Sequence, residues 1–348
     1  MFVATHNGPQ FVCGQAPPGD GPMGQRGTYA IQGKFRGTMF EAPEFNAQTD
    51  AESIHAAIKD GNEDAVVDTL PNRSVAQRQE IKQQYKTTFG RDLEEHITSD
   101  MCQKTAMALV WLLCLPAQRE ARQLYAAMQG GGTDEKCLIE ILSSRSNQEI
   151  KNICEAYTQE YGSSLEEDVT SETAGHFQRV LTSLLTGNRD ESTQVNDALA
   201  QEDAQALYDA GEASWGTDET CFLRILCVRS HPHLRSVFTR YNEIAGKDII
   251  VSIKSEMSGH LEDVLLAVVK CIIDLPGYFA ERLYKSMKGM GTDDQTLARI
   301  MVARAEVDML DVRKEFKAKY EESLHSFIEG DSSGSFARLL LRLCGGED

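Results

Sequence analysis

Apolar residues recur at helical spacing along most of the chain, from about residue 51 to the C-terminus. Capping residues and glycines separate these apolar runs, and prolines are few. Residues 1–50 differ because they are rich in Gly, Pro and Gln and show no sustained period. The pattern predicts an all-α protein that is preceded by a flexible tail.

The helical part of the chain contains one scaffold four times. In each copy an Arg follows an apolar stretch, and an acidic residue lies 27 positions after that Arg. The four pairs are Arg73 with Asp100, Arg145 with Glu172, Arg229 with Glu256, and Arg304 with Asp331. Successive Arg residues are 72, 84 and 75 positions apart, so each unit has room for roughly five short helices.

We therefore divide the chain into a tail and four modules. The tail is residues 1–50, and a polar segment near 187–193 accounts for the extra length before the third module. The expected boundaries are 51–118 for module I, 119–190 for module II, 191–277 for module III with its linker, and 278–348 for module IV. A repeat of this length predicts that each module has a small core of its own.

Modules II, III and IV carry a glycine-rich loop before the Arg, at residues 128–135, 211–219 and 287–294. Each loop contains Gly-Thr-Asp, and the glycine of this triplet lies 40 positions before the acid of its module. Glycine allows a turn with positive φ and leaves the backbone carbonyl groups accessible. We expect the carbonyl groups to point outward and the threonine to cap the next helix.

Such a loop, joined by the distant acid, can form an open Ca²⁺ site. Three carbonyl oxygens and a bidentate carboxylate supply five oxygens, whereas Ca²⁺ takes six to eight. The remaining positions are left to water or to an outside ligand such as a lipid phosphate. A single carboxylate predicts weak affinity, roughly 10⁻⁴–10⁻³ M. Three sites on one face would act together, so membrane binding should be steep in Ca²⁺.

Charge narrows the choice of partners. The formal net charge is −18, so the protein should be repelled by nucleic acids and by anionic lipid surfaces. We therefore expect no nucleic-acid partner, and a divalent cation is the simplest bridge to an anionic membrane. The nine cysteines form no Cys-x-x-Cys pair, which is typical of reduced thiols in a cytoplasmic protein.

A membrane role would have to be peripheral. The longest clean apolar run, 106–115, is about half the length that spans a bilayer. The N-terminus also lacks the charged and apolar regions of a secretory signal. We expect a cytoplasmic protein that joins the membrane surface when Ca²⁺ is present.

The four modules, the Gly-Thr loops and the acid 40 positions later resemble the core of the annexin family, over about residues 37–348. The resemblance implies four five-helix modules in a curved disk, with the loops on its convex face. It also implies Ca²⁺-dependent binding to phosphatidylserine-type membranes. The implied Ca²⁺ ligands are Met128, Gly130, Gly132 and Glu172 in module II; Gly211, Ser214, Gly216 and Glu256 in module III; and Met287, Gly289, Gly291 and Asp331 in module IV. Trp215 is expected to reach the membrane interface.

Module I departs from this pattern. The segment from Ile58 to Arg73 is two residues shorter than the corresponding segments of modules II and IV, and the pair of glycines is absent. The sequence after Asp100 also lacks the glycine that follows the acids of the other modules. We predict that module I has lost this type of site.

The sequence also allows other interpretations. The tail could bind a cytoskeletal or signalling protein, in which case the chain would be a scaffold and lipid binding secondary. We find no nucleophile or phosphate-loop motif, so we do not expect an enzyme. His231 and His233 are interpreted as part of a polar turn around Pro232 rather than as metal ligands. The buried polar residues could also line a central channel, an alternative that we do not adopt.

Overall fold

The computed structural model describes residues 35–211 and 218–346. Within these ranges the regular secondary structure is helical and no strand occurs, which confirms the predicted all-α class. The expected Ca²⁺ ligands Ser214 and Gly216, the expected interface residue Trp215 and the tail before residue 35 lie outside the described residues.

The described helices follow one another in four groups of five. Module I contains α1 (Ala47–Lys59), α2 (Glu63–Thr69), α3 (Val75–Phe89), α4 (Leu93–Asp100) and α5 (Gln103–Leu113). Module II contains α6 (Pro116–Ala127), α7 (Glu135–Ser144), α8 (Asn147–Tyr161), α9 (Leu165–Glu172) and α10 (Gly175–Leu185). In both modules the scaffold acid is the last residue of the fourth helix.

The second half of the chain repeats this order. Module III contains α11 (Asp197–Gly211), α12 (Glu219–Leu226), α13 (His231–Ala245), α14 (Ile249–Glu256) and α15 (Gly259–Ile273). Module IV contains α16 (Leu275–Met287), α17 (Asp294–Arg304), α18 (Met309–Tyr320), α19 (Leu324–Asp331) and α20 (Gly334–Cys344).

The third helices of modules I, II and III begin at a serine cap and end at a glycine. Ser74 and Ser146 open α3 and α8 with capping boxes, in which the serine hydroxyl accepts from the backbone N–H three residues later. Gly90, Gly162 and Gly246 end α3, α8 and α13 in the left-handed conformation, where a side chain would be strained. Module IV has Glu321 at this position, with a φ of 60°.

The modules associate in pairs. Helix α15 of module III packs against α7 and α10 of module II, and α17 and α20 of module IV pack against α5 of module I. At the second junction, Asp68 of α2 forms ion pairs with Arg338 and Arg342 of α20. The first and last modules are therefore neighbours, although they lie at opposite ends of the repeat.

A segment that we call the strap, residues 35–46, also joins module IV to module I. The strap residue Arg36 pairs with Asp311 at 2.6 Å, and the Thr38 N–H donates to the Ala305 carbonyl at 2.7 Å. Further along, the Ala42 N–H donates to the Gln77 side chain of α3 at 3.0 Å. The strap thus contacts both modules before α1 begins.

A buried ion cluster links modules II and IV. Glu140 of α7 accepts from Arg282 and Arg299, with closest N–O distances of 2.8 Å to each. Burial alone would raise the pKa of Glu140, but the two guanidinium groups outweigh burial and lower the pKa to about 2. The carboxylate is therefore ionised at neutral pH.

Candidate metal sites

The module II loop connects α6 to α7. The Asp134 N–H donates to the Ala127 carbonyl at 2.7 Å and closes the loop at its base. Gly130 has a φ of 102°, and residues 129–132 are exposed. Glu172 approaches from the end of α9, where the Thr133 hydroxyl lies 3.5 Å from its backbone carbonyl oxygen. The Glu172 side chain is exposed beside the loop.

The module IV loop connects α16 to α17 in the same way. The Asp293 N–H donates to the Ser286 carbonyl at 2.8 Å, while Gly289 and Gly291 have φ values of 118° and 91°. Here the threonine reaches the distant acid directly, because the Thr292 hydroxyl donates to Asp331 Oδ2 at 2.8 Å. The carboxylate and the loop, 39 positions apart, are therefore held together.

In module III the two described partners of the expected site are close together. Gly211 ends α11, and a Cβ atom added to it would lie 3.9 Å from Glu256 Cγ. The Asp218 N–H donates to the Ala210 carbonyl at 2.9 Å, so the base of this loop is closed like those of modules II and IV. The residues between 211 and 218 lie outside the described part.

Module I has a shorter loop and a differently bonded acid. The Asn62 N–H donates to the Ala57 carbonyl at 2.8 Å, so this closure spans two residues fewer than the closures in modules II and IV. Asp100 accepts from Ser99 at 2.6 Å and from Arg91 at 3.2 Å, and His96 lies 3.5 Å away. Ser99, followed by Arg91 and His96, lowers the pKa of Asp100.

The start of the fifth helix also differs in module I. Gly175, Gly259 and Gly334 begin α10, α15 and α20, with φ values between 62° and 66°. Module I has Gln103 at this position, and its φ is not positive. The turn that follows the scaffold acid is therefore built differently in module I.

The expectation that the loop threonines cap the next helix was wrong. The N-cap residues are Asp134, Asp218 and Asp293, whose carboxylates accept from backbone N–H groups in the first helical turn. The sequence Gly-Thr-Asp offers two capping residues, and the Asp is the one adjacent to the helix. The hydroxyl is thus left free in module IV to bind Asp331, a role that sequence reasoning missed.

His231 and His233 lie in the first turn of α13 rather than in an inter-helix turn. His233 Nε2 lies 2.9 Å from Asp203 Oδ2, and both side chains are buried. Arg229 pairs with the same carboxylate at 2.7 Å, so His233 belongs to a structural ion cluster.

The donor atoms of these loops suit a hard cation. In modules II and IV the backbone of a glycine-rich loop lies next to one acidic residue, and both carbonyl groups and carboxylates are oxygen donors. No group of three or more His, Cys, Asp or Glu side chains that could hold a metal occurs among residues 35–211 and 218–346. Because Ca²⁺ prefers oxygen ligands and tolerates irregular coordination, the donor set fits Ca²⁺ better than a thiol- or imidazole-binding metal.

All four modules resemble known proteins. A family model described as Annexin matches four segments of the chain, residues 49–110, 119–184, 202–268 and 278–343. The chain belongs to the annexin family. This annexin is 53% identical to annexin A4 of Mus musculus over 314 residues, which cover 90% of the chain and 98% of the relative. Annexin A4 of Homo sapiens is 52% identical over the same coverage.

Solved annexin structures have the same fold. The structure described as annexin III superposes on this annexin with a TM-score of 0.87 at 46% identity, and the match covers 90% of this chain and 98% of that one. Chicken annexin V gives a TM-score of 0.85 at 48% identity, with 90% and 99% coverage. A calcium-bound annexin (Sm)1 gives 0.77 at 32% identity, with 90% and 93% coverage. The predicted family and four-repeat fold are confirmed.

This annexin has no helix, within its described residues, that is both long enough and apolar enough to cross a bilayer.

Proposed function

We propose that this annexin binds Ca²⁺ through the loops of modules II, III and IV, and that the bound Ca²⁺ docks it on anionic, phosphatidylserine-type membranes. We also propose that the protein is cytoplasmic and that it is peripheral to the membrane while Ca²⁺ is present. We infer a binding protein rather than an enzyme. We also propose that the four modules expected from the sequence are the units of this function, with α1, α6 and α16 beginning a few residues before the expected boundaries.

The main observation behind this proposal is that the described part of the glycine-rich loop in each of modules II, III and IV lies next to the distant acidic residue of the same module. In module IV a hydrogen bond of 2.8 Å joins the loop residue Thr292 to the carboxylate of Asp331. Glu172 and Glu256 end the corresponding helices of modules II and III, next to their loops. Since the protein has a formal net charge of −18, a cation between its loops and an anionic lipid would turn repulsion into attraction.

We assign the ligands as the family resemblance implies. The carbonyl groups are those of Met128, Gly130 and Gly132; of Gly211, Ser214 and Gly216; and of Met287, Gly289 and Gly291. The carboxylates are those of Glu172, Glu256 and Asp331. When bound, Ca²⁺ would supply open coordination positions for lipid oxygens. The protein's part is to hold the oxygens in place and to close the loop at its base.

The loop tips would add an apolar contact with the membrane. Met290 lies between two glycines of the module IV loop and is fully exposed. Trp215 occupies the corresponding position in module III, which is outside the described residues. A large amphipathic or apolar side chain is favoured at the membrane interface. Gly131, at this position in module II, would make no such contact.

Co-sedimentation with anionic vesicles tests the proposal. The wild-type protein should pellet with phosphatidylserine vesicles in millimolar Ca²⁺ and remain in the supernatant with a chelator. The combined variant Glu172→Gln, Glu256→Gln and Asp331→Asn should lose pelleting and keep its helical circular dichroism spectrum. Asp100→Asn, the matched change in module I, should leave pelleting unaltered.

Two results would count against this function. Pelleting of the combined variant at the wild-type Ca²⁺ concentration would show that the carboxylates are not ligands. Loss of pelleting on removal of residues 1–34 would instead support the tail-driven scaffold. Unchanged pelleting of that truncation would assign lipid binding to the four modules.

A further inference from the structure

A cavity of about 270 Å³ lies where modules II, III and IV meet. Its walls come from the start of α8, the connection between α10 and α11, the start of α13, and residues of α15 to α17. None of the lining residues is among the proposed Ca²⁺ ligands. The cavity is therefore a separate feature of the molecule.

Two buried ion pairs contribute only their cationic partners to the cavity wall. Arg145 and Arg304 line the cavity, and both guanidinium groups lie over the Phe279 ring, at 6.0 and 4.6 Å. Their carboxylate partners, Glu120 at 2.9 Å and Asp308 at 2.7 Å, do not line it. This arrangement places the positive end of each pair toward the cavity.

Two further arginines at the wall donate hydrogen bonds to backbone carbonyl groups. Arg189 donates to the carbonyls of Leu226 and Arg229, at 2.8 Å each. Arg235 donates through Nε to the Ile272 carbonyl at 2.8 Å, and no carboxylate of the described residues forms an ion pair with it. The Arg235 charge is thus available to a ligand.

Three acidic residues also line the cavity, and each is engaged in a local turn or cap. Glu149 accepts from Ser146 in the capping box of α8. Asp190 accepts from the Ser192 N–H and hydroxyl at 2.9 and 2.8 Å, and Glu191 accepts from Asn147. Asp190 and Glu191 are exposed, so solvent screens their charges more than those of the buried side chains of Arg145 and Arg304, while Arg235 lies at the exposed mouth of the cavity.

The cavity also holds neutral donors. Ser143 Oγ is buried and has no hydrogen-bond partner within the described part of the chain. Burial lowers the pKa of His231 to about 4, with Arg189 and Arg235 adding to the effect, so its imidazole is neutral at pH 7. The remaining wall is apolar and is formed by Leu142, Ile150, Leu184, Leu275 and Val307.

We propose that this cavity binds a small organic phosphate, with the phosphate among the arginines and a short apolar body against the leucine wall. Arginine suits a phosphate because its planar group can donate two parallel hydrogen bonds. The volume lies just below the usual range for small-molecule sites, which excludes a lipid with two acyl chains. The ligand is therefore a soluble molecule rather than the membrane.

Titration calorimetry with phenyl phosphate, in the presence of a Ca²⁺ chelator, tests the proposal on the full chain. We expect saturable binding at one site, with weaker binding of inorganic phosphate and none of benzyl alcohol. Arg235→Gln should weaken phenyl phosphate binding by at least about tenfold, and Arg235→Lys, which keeps the charge but loses the planar pair of donors, should weaken it less. The chelator separates this result from the proposed membrane function.

Arg240→Gln is the matched control, because Arg240 lies on the same helix but binds Asp197 outside the cavity. It should bind phenyl phosphate like the wild type. A second variant, Ser143→Leu, should abolish binding by filling the cavity, and a thermal melt checks that it folds. Absence of saturable binding to the wild-type protein would overturn the proposal. Equal affinities of Arg235→Gln and Arg240→Gln, or equal binding of benzyl alcohol, would also overturn it.

Discussion

Modules I and IV share a scaffold but differ at the loop. In module I, His55 stacks on Phe89 with ring centroids 3.9 Å apart, and in module IV Tyr284 stacks on Tyr320 at 3.8 Å. The helices around these rings have the same order in both modules. The scaffold can therefore persist while the chemistry at its edge changes.

The difference lies in what the scaffold acid binds. Asp331 accepts a hydrogen bond from the loop residue Thr292, whereas Asp100 is bonded to Ser99 and Arg91 of its own neighbourhood. The module I closure spans two residues fewer, which leaves less backbone to surround an ion. An acidic residue at the right position in the sequence is thus insufficient for the expected type of Ca²⁺ site when the loop that faces it is too short.

The largest expected difference between modules I and IV is in the number of Ca²⁺ ions lost when the scaffold acid, Asp100 or Asp331, is replaced. Asp331→Asn should remove one Ca²⁺ from the three that we propose per chain, because the site loses its only carboxylate. Asp100→Asn should leave the number of bound ions unchanged. Calorimetric titration of Ca²⁺ in the presence of phosphatidylserine vesicles measures this number. A loss of one ion in both variants would show that module I also holds a site.

The threonine contact should have the next largest effect. Thr292→Val removes the hydrogen bond that orients Asp331 and should weaken Ca²⁺ binding at module IV by roughly tenfold. Thr292→Ser keeps the hydroxyl and should bind like the wild type. Thr133→Val should matter less, because the Thr133 hydroxyl lies 3.5 Å from the Glu172 backbone carbonyl oxygen and forms no hydrogen bond with a carboxylate of the described residues. Equal losses in modules II and IV would contradict a positioning role for the 2.8 Å bond.

The exposed side chain at the module IV loop tip should contribute a smaller amount. Met290→Ser should weaken vesicle binding by about threefold to tenfold at fixed Ca²⁺, since it removes part of the apolar contact with the membrane. Met290→Leu should preserve binding. Vesicle titration followed by tryptophan fluorescence measures the change. Identical affinities of the Ser and Leu variants would exclude Met290 from the interface.

The end of the third helix offers a stability comparison. Glu321→Gly in module IV should raise the free energy of unfolding by about 0.5–1 kcal/mol, because Glu321 has a φ of 60° that glycine adopts without strain. Gly90→Glu in module I should lower it by a similar amount. Urea denaturation followed by circular dichroism provides the measurement. Destabilisation by both substitutions would show that the Glu321 side chain contributes more than its strain costs.

A pH effect should be the smallest of the five. Burial, followed by the Arg91 charge, lowers the pKa of His96, which also faces His55 and Asp100. The unfolded chain then binds more protons than the folded one, so stability should be complete above pH 6.5 and fall below it.

Module IV has Phe327 four residues before Asp331, at the position that His96 holds before Asp100 in module I. His96→Gln should therefore reduce the drop in melting temperature between pH 7.5 and pH 5.5. An unchanged drop would assign the effect to other groups.

The sequence predicted the architecture better than the local bonding. Four equal offsets between an Arg and an acidic residue predicted four modules. The helical class could also be predicted, because the spacing of apolar residues and the capping residues are visible in the sequence. It also predicted that module I would differ. It could not predict that Asp293 rather than Thr292 caps α17, since adjacent residues compete for that position. Nor could it predict the cavity, because its wall combines segments of three modules.

The pairing of the first module with the last has a consequence for synthesis on the ribosome. Asp68, close to the start of the chain, binds Arg338 and Arg342, and the strap residue Thr38 donates to the carbonyls of Ala305 and Leu343. These partners are translated roughly 270 to 300 residues later than the groups they satisfy. Domains emerging from the ribosome fold in order from the N-terminus. Module I therefore leaves the surface that packs against module IV exposed to solvent until α20 has been translated.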